Sequence, residues 1–590
     1  MTKEELLDKQ TFIDLFNLSP LDRIDCENKL YLEADKLGVK SQFKTTLKEY
    51  SKLLRKNITM GNNTELTKCK YDLSNYNTGK YICNMEGITD DQNFKFSYIP
   101  VLPVERYINQ DTGKEKIKLI YFKENKWNEL IVDRSQIAIN QKLLLLSDHG
   151  LDVNSENVRY YINYFNDILN LNDIKKLSSV SHLGWNGDDF IPYDTHGIFD
   201  GADDFRSVYN ALNSRGNYDL WLETIKKCRE KKKIKILMAV VLASPLIEKL
   251  SIQPYIANFW SGMSGNGKTL SSMLAMSIWG NPETGALRFS SNSTQNYYIT
   301  VASFLRNITC YFDELQVIKN NRYFDLETLV MDLCNGTEKG RLNKNSQARE
   351  VKSWNCNFLF TNNDRMVKEN AGEQVYNRVI DIEVNENLYE NPTQIADIIK
   401  NNFGFLGKDY IKAIKKIGFD KLKERYNQIY NEIITTTKAT DKQASSLSSI
   451  LLADEIVVKD IFTEEDPLKI EDIKDLINDK DEIKTSIKAK EYITSVINAN
   501  PSRFNSNNFG EVWGEIKEGF QENERIYRVI INAQILNREL AKGGFEFETI
   551  KKEWAEMGFL EKSSQGRFIH QTSIDRVKGN YIKLKMDAND

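Results

Sequence analysis

The 590-residue chain sets 80 Lys and Arg against 84 Asp and Glu, so its net charge of −4 gives no global attraction to nucleic acid, and any such contact must come from local basic patches. Its seven cysteines stand singly with no C-x-x-C pair, and its four histidines form no H-E-x-x-H arrangement, which excludes a disulfide framework and the common zinc motifs. The start after Met1 has no signal-like pattern, and the longest uncharged apolar stretch near the middle, Ile236 to Ile247, contains Pro245 and reads as a buried helix too short to span a bilayer; a cytoplasmic protein is expected.

At roughly 150 residues per domain the length predicts a multidomain α/β protein. Residues 1–60 carry apolar positions at helical spacing, among them Phe43, Leu47, Tyr50 and Leu54, and predict a helical N-terminal segment. Residues 61–140 turn to short β-rich runs such as Phe96 to Leu102 and Ile117 to Phe122, and predict an antiparallel β domain. Residues 141–250 read as a mainly helical connecting region, interrupted by a hairpin-like stretch from Leu183-Gly184-Trp185 to Ile191-Pro192-Tyr193. In residues 251–390 strands and helices alternate, which favours a parallel sheet covered on both faces, and 391–455 are helical. Residues 456–500 have the charged, aromatic-poor composition of a mobile linker. In 501–590, helices over Ile531 to Ala541 and Phe547 to Met557 precede strands at Phe559-Leu560, Arg567 to Ile569 and Tyr581 to Leu584, the outline of a winged helix suited to duplex DNA or to a protein partner.

The most specific motif is Gly262-Met263-Ser264-Gly265-Asn266-Gly267-Lys268-Thr269, a full match to G-x-x-x-x-G-K-[ST] between an apolar run, Tyr255 to Trp260, and a helix-like run, Leu270 to Trp279. Gly262, Gly265 and Gly267 allow a tight turn that aims backbone N–H groups, that of Asn266 included, at phosphates, and the following helix presents its positive end to the same anion. Lys268 is expected to reach the β and γ phosphates of ATP, and Thr269 to offer a hydroxyl to Mg²⁺. Ile308 to Glu314 reads as a strand ending in Asp-Glu, with Asp313 beside Mg²⁺ and Glu314 toward the γ phosphate, suited to position or deprotonate water. A second buried-looking strand ends at Asn362, whose carboxamide is suited to orient that water. Arg378, just before Val379 to Ile382, is suited to reach a nucleotide on a neighbouring subunit, with Arg365 as its rival.

This order of phosphate loop, Asp-Glu strand, Asn strand and Arg resembles the AAA+ ATPases and, within them, the superfamily 3 and MCM-like replicative helicases. Leu183-Gly184-Trp185, Ser277-Ile278-Trp279-Gly280, Asp313-Glu314-Leu315 and Asn335 to Arg341, with Trp554 and Gly558-Phe559-Leu560, are similar to the replication initiator-helicases of staphylococcal pathogenicity islands and cassette chromosomes. The resemblance implies a hexameric ring that moves 3′ to 5′ on single-stranded DNA, and a β-hairpin before the Asn strand that projects into the ring channel, here Lys339 to Trp354 with its tip near Lys344. Lys339, Arg341, Lys344, Arg349 and Lys352 against Glu338 and Glu350 make this stretch locally basic, and Lys339, Arg341 and Lys344 are the candidate DNA contacts. The residues leave three readings open: a helicase and origin-binding initiator, an AAA+ ATPase that remodels a protein partner, and an origin binder that uses ATP only to assemble.

Overall fold

A computed structural model describes the chain except for residues 17, 58–63, 67, 74, 195–197, 316–324, 341–350, 369–370, 505–510, 522–523, 575–576 and 588–590. It divides into two compact units, residues 1–181 with 196–200, and residues 182–195 with 201–590.

In the first unit, helices Pro20–Lys36 and Lys40–Asn57 close around Phe12, Ala34 and Phe43. The β-rich part is larger than the expected 61–140 and is not purely antiparallel. Val101–Asn109, Glu115–Lys123 and Lys126–Asp133 form a meander, but Lys176–Val180 joins Val101–Asn109 in parallel and Ile198–Phe199 adds a further parallel strand. The helix Val158–Leu171 makes the crossover that a parallel pair requires. It buries Tyr161, Tyr164, Phe165 and Ile168 against the sheet, and Tyr164 donates to Val101 O at 2.8 Å. Residues 141–181 and 198–199, expected in the connecting region, thus supply strands and a covering helix to this sheet.

The second unit is built around helix α1, Lys232–Lys249, in which every residue from Ile236 to Ile247 is buried. After it come β1, Ile256–Trp260, and α2, Lys268–Met276, then β2, Arg288–Ser290, β3, Cys310–Asp313, β4, Phe358–Asn362, and β5, Val379–Glu383. The five strands run parallel in the order β2-β3-β4-β1-β5. Strand β4 thus separates the strand that leads into Gly262 from the strand that ends at Asp313.

Pro245 has no N–H to give to the carbonyl four residues earlier, so Val241 O would lack its helical partner. The Thr309 hydroxyl fills the gap from 3.1 Å and also lies 2.7 Å from Asn357 Oδ1, while Asn357 Nδ2 donates to Val240 O at 2.6 Å. Thr309 and Asn357 immediately precede β3 and β4, so the defect in α1 sets where both strands begin. The hairpin Gly184–Asn186 with Asp189–Ile191 closes on the same helix, where Trp185 Nε1 donates to Pro245 O at 2.8 Å.

Helix α3, Asp441–Asp460, packs along α1, and residues 461–499 follow it in a form unlike the expected mobile linker. Phe462, Leu468, Ile470, Ile473 and Leu476 are buried, and several charges between them are paired, Glu464, Glu465 and Asp472 among them. Arg229 bonds Asp454 at 2.9 Å and Glu465 at 3.0 Å, Asp454 accepts from Leu468 N at 2.8 Å, and Lys232 pairs with Asp472 at 2.8 Å. A charged composition here reflects ion pairing to packed helices rather than solvation. Helix α4, Thr485–Ala499, belongs to the C-terminal fold, where Trp554 Nε1 donates to Ser486 O at 2.7 Å.

That fold also contains a hairpin the sequence reading missed, β6, Gly514–Gln521, with β7, Glu524–Asn532. Ile531 therefore ends a strand instead of opening a helix; Asn532 caps α5, Ala533–Lys542, through its side-chain bond from Gln534 N at 2.9 Å. Helix α6, Phe547–Glu556, is followed by β8, His570–Ile574, and β9, Val577–Asp587, and the antiparallel sheet runs β6-β7-β9-β8.

Arg229 and Asp454 have fully buried side chains. Removing one partner of such a pair strands the other charge, so Asp454→Ala is expected to lower unfolding free energy by roughly 3–5 kcal/mol in urea titration, whereas Arg229→Met with Asp454→Leu, which removes both charges, costs much less.

Candidate functional site

The sequence-predicted residues gather where the parallel strands end. Trp260 stands opposite Asn362 on β4, and Asp313 closes β3 beside it. From Trp260 the chain enters Gly262–Thr269. Gly265 and Gly267 have φ of +80° and +94°, the left-handed region that glycine occupies without strain, and Gly267 is the residue from which α2 starts. A Cβ at Gly267 would lie 2.7 Å from the Tyr389 ring, so a side chain is excluded there on two grounds.

The loop is held from beneath by Asn266, whose Nδ2 donates to Ser261 Oγ at 2.6 Å and to Val384 O at 3.1 Å. Asn266 is buried, which makes it a brace of the loop as well as a source of backbone N–H. Lys268 lies along the loop and donates to Ser261 O at 3.2 Å and Met263 O at 3.1 Å. Partial burial lowers its ammonium pKa below the ordinary lysine value, since desolvation disfavours the charge. An arriving anion is therefore favoured at this position by an under-compensated cation and by the positive end of α2.

Thr269 Oγ1 is 3.2 Å from Asp313 Oδ1, so the two proposed metal ligands meet across the gap between α2 and β3. The same carboxylate oxygen accepts from the Thr361 hydroxyl, and Arg288 approaches Asp313 Oδ2 at 3.6 Å. Neither Thr361 nor Arg288 figures among the sequence-predicted residues. Thr361 is one position before Asn362 on a recognised strand and was within reach of the strand alternation. Arg288 sits on the short strand β2 and reaches Asp313 only because Ser290 pairs with Asp313 in the sheet.

Glu314, exposed, has φ of +63° and donates its N–H to Thr361 Oγ1 at 3.0 Å. A glutamate in this region of backbone space is held there by its surroundings, as strained residues at functional sites often are. Asn362 is buried at the same sheet edge, but its carboxamide is committed locally: Nδ2 donates to Asp364 O at 2.8 Å and Oδ1 accepts from Asn363 N at 2.9 Å.

Arg378 lies at the other edge of the sheet. Its carbonyl accepts from Ile256 N at 2.9 Å at the start of β1, and its guanidinium donates to Gln374 O at 2.8 Å. The five paired residues from Ile256 to Trp260 separate it from the loop of its own chain by roughly 17 Å at about 3.3 Å per strand residue. Arg365 is tied instead to Asp381 at 3.9 Å and Asn478 at 3.5 Å.

Of the hairpin expected at Lys339–Trp354, the base is formed: Glu338 N donates to Lys352 O at 2.8 Å and Trp354 N to Gly336 O at 2.9 Å. Trp354 is fully buried and its Nε1 donates to Leu333 O at 2.8 Å, which anchors the returning arm. Lys339 is exposed and pairs with Asp332 at 3.1 Å. Arg341 and Lys344 lie outside the described residues.

Residues 71–353 match a family described as Domain of unknown function (DUF927), and residues 485–589 match one described as Cch helix turn helix domain. Among solved structures, one described as "SCCmec type IV Cch - active helicase" aligns at 17% identity over 87% of this chain and 98% of that one with a TM-score of 0.62, which shows a common fold. Another, "The A form apo structure of NrS-1 C terminal region-CTR", aligns at 12% identity over 74% of this chain and 96% of that one with a TM-score of 0.26. Comparison with curated proteins returned no match. No described helix is long and apolar enough to cross a membrane.

The loop geometry makes Gly267→Ala a sharp test. The substitution is expected to cost about 1–3 kcal/mol from backbone strain, and more from the clash with Tyr389, read as a lowered midpoint of thermal unfolding. Adding Tyr389→Ala should relieve the clash and leave the backbone strain, so only part of the loss returns.

Proposed function

We propose that the chain is an ATP-hydrolysing DNA helicase of the AAA+ type and the replication initiator of a mobile genetic element. The observation that carries this reading is the meeting of Gly262–Thr269, Asp313, Glu314 and Asn362 at one edge of a parallel sheet while Arg378 stands at the opposite edge. A single subunit cannot bring Arg378 to its own loop across that distance, whereas a ring that sets one subunit's Arg378 edge against the next subunit's loop edge completes the site. This supports catalysis at subunit interfaces of a ring, a hexamer by the resemblance given above. The fold shared with a solved structure described as an active helicase supports the motor, and the helix-turn-helix match over 485–589, with two helices and a following hairpin, supports a winged helix on origin DNA.

In this reading the loop N–H groups and the start of α2 bind the ATP phosphates, and Lys268 exchanges its bonds to Ser261 O and Met263 O for phosphate oxygens. The Thr269 hydroxyl and Asp313 carboxylate would hold Mg²⁺, which would neutralise phosphate charge. Thr361 and Arg288 fix the orientation of Asp313. Glu314 positions and deprotonates the attacking water, Asn362 orients it through the edge it shares with Glu314, and Arg378 from the neighbouring subunit stabilises charge on the transferred phosphoryl group. The work is coupled to single-stranded DNA, travelling 3′ to 5′, through the hairpin that rises from Thr337–Lys339 and Lys352–Trp354, with Lys339, Arg341 and Lys344 on the strand phosphates.

ATP-dependent displacement of a labelled strand from a forked duplex tests the motor. Wild type is expected to unwind, and Glu314→Gln to lose about 10²-fold or more in ATP turnover and all unwinding. A wild-type ATPase indifferent to DNA and without unwinding would sink the helicase reading.

Arg378→Ala is expected to lower turnover by about 10³-fold. Mixing it with Lys268→Ala subunits should restore activity, because each intact site then draws its loop and its arginine from different chains; absence of rescue counts against the shared site.

A further inference from the structure

The C-terminal domain carries its charge in an unexpected place. In a helix-turn-helix the second helix enters the major groove and its N-terminal residues meet the base edges. Here that helix is α6, and its exposed surface is acidic. Glu546 and Glu548 stand at its start and Glu553 and Glu556 further on, against Lys551 and Lys552. Lys551 is already paired with Glu548. Four carboxylates on the groove-facing element oppose approach to a polyanion.

The antiparallel sheet of the same domain is the reverse. Val529, Ile531, Ile582, Leu584 and Met586 point into the helical core. Alternation along the strands therefore turns Arg528 on β7 and Lys583 and Lys585 on β9 to the other face. The pairing register aligns Lys517 of β6 with Arg528, and Arg528 with Lys585, in one row across three strands. Like charges directly opposite each other on a sheet repel, which marks this row as a surface that an anionic partner suits. Glu515 pairs with Lys517 at 2.5 Å and Glu561 with Arg528 at 2.8 Å, while among the described residues no carboxylate pairs with Lys583 or Lys585. Lys562, Arg567 and Lys578, all exposed, extend the positive surface to the segment before β8 and the start of β9.

We propose that this domain grips duplex DNA through the outer face of its sheet, with Lys517, Arg528, Lys583 and Lys585 on the phosphates, and that α6 does not enter the major groove. The proposal rests on the reading that DNA is the partner and specifies how the domain holds it. A two-stranded β-ribbon fits the major groove as a helix does, and β8 with β9 forms such a ribbon beside the cationic row.

The test uses the full-length chain without nucleotide and a fluorescently labelled duplex of arbitrary sequence, since phosphate contacts do not depend on sequence. Anisotropy titrations over a salt series should show Lys583→Ala with Lys585→Ala weakening binding about tenfold or more and reducing the slope of log K against log salt by about 1.8, near 0.9 per lost contact. Thr549→Ala with Lys552→Ala on α6 should leave affinity and slope unchanged. Unaltered circular dichroism and thermal midpoint of each variant establish that it is folded. The opposite pattern, with the α6 variant weakened and the sheet variant unaffected, overturns the proposal, as does any sheet variant that keeps the wild-type slope. Because binding is read without ATP, a chain that binds as expected yet fails to unwind a fork refutes the motor alone. A chain that unwinds while the sheet variant binds normally refutes the sheet alone.

Discussion

The second unit hangs on a proline in a buried helix. Pro245 removes one backbone donor from α1, and the orphaned Val241 carbonyl is answered by Thr309, with Asn357 bonded beside it to Val240 O. Since an unanswered buried carbonyl is costly, the positions of Thr309 and Asn357 along α1 are fixed to within a hydrogen bond. Those residues are the last before β3 and β4. The strands that present Asp313, Thr361 and Asn362 are thus registered from their far ends, against α1. The same helix turns its Pro245 carbonyl to Trp185, so the hairpin at 184–191 is referenced to the same point.

From that registration follows a division of the sheet into two edges with different chemistry. One edge gathers an N–H-rich loop, a lysine held below its ordinary pKa by burial, and a carboxylate oriented by two hydroxyls and an arginine. The other edge carries Arg378. The separation is a consequence of parallel pairing, because β1 and β5 run side by side and put the start of one level with the start of the other. Within one chain the loop edge and Arg378 therefore stand at opposite ends of the same strands.

The C-terminal domain distributes charge by the same kind of constraint. Its sheet buries one face against α4, α5 and α6, and alternation then places Arg528, Lys583 and Lys585 on the other face, beside a small buried cluster of Ile530, Ile574 and Tyr581. Residues 461–484 show how charge reads differently once packed. Glu465 and Asp472 look like linker composition in the sequence, yet each is the partner of a lysine or arginine on or just before α1.

The sequence by itself determined the phosphate-loop pattern with its flanking strand and helix, the acidic strand end at Asp313-Glu314 and the strand ending at Asn362, because these depend on short-range spacing and on glycines that few other residues replace. It also marked α1 as buried, since an uninterrupted apolar run has nowhere else to go. Only the tertiary structure decided that Thr361 and Arg288 share Asp313, that Asn266 braces the loop through Val384 O, and that Arg378 lies at the end of the strands opposite the loop. Each of these rests on which strands are neighbours, and neighbour choice is set by hydrogen bonds between residues more than twenty positions apart, for which local periodicity carries no signal. The missed hairpin Gly514–Asn532 and the misread linker have the same cause: alternation and charge were visible, but what they packed against was not.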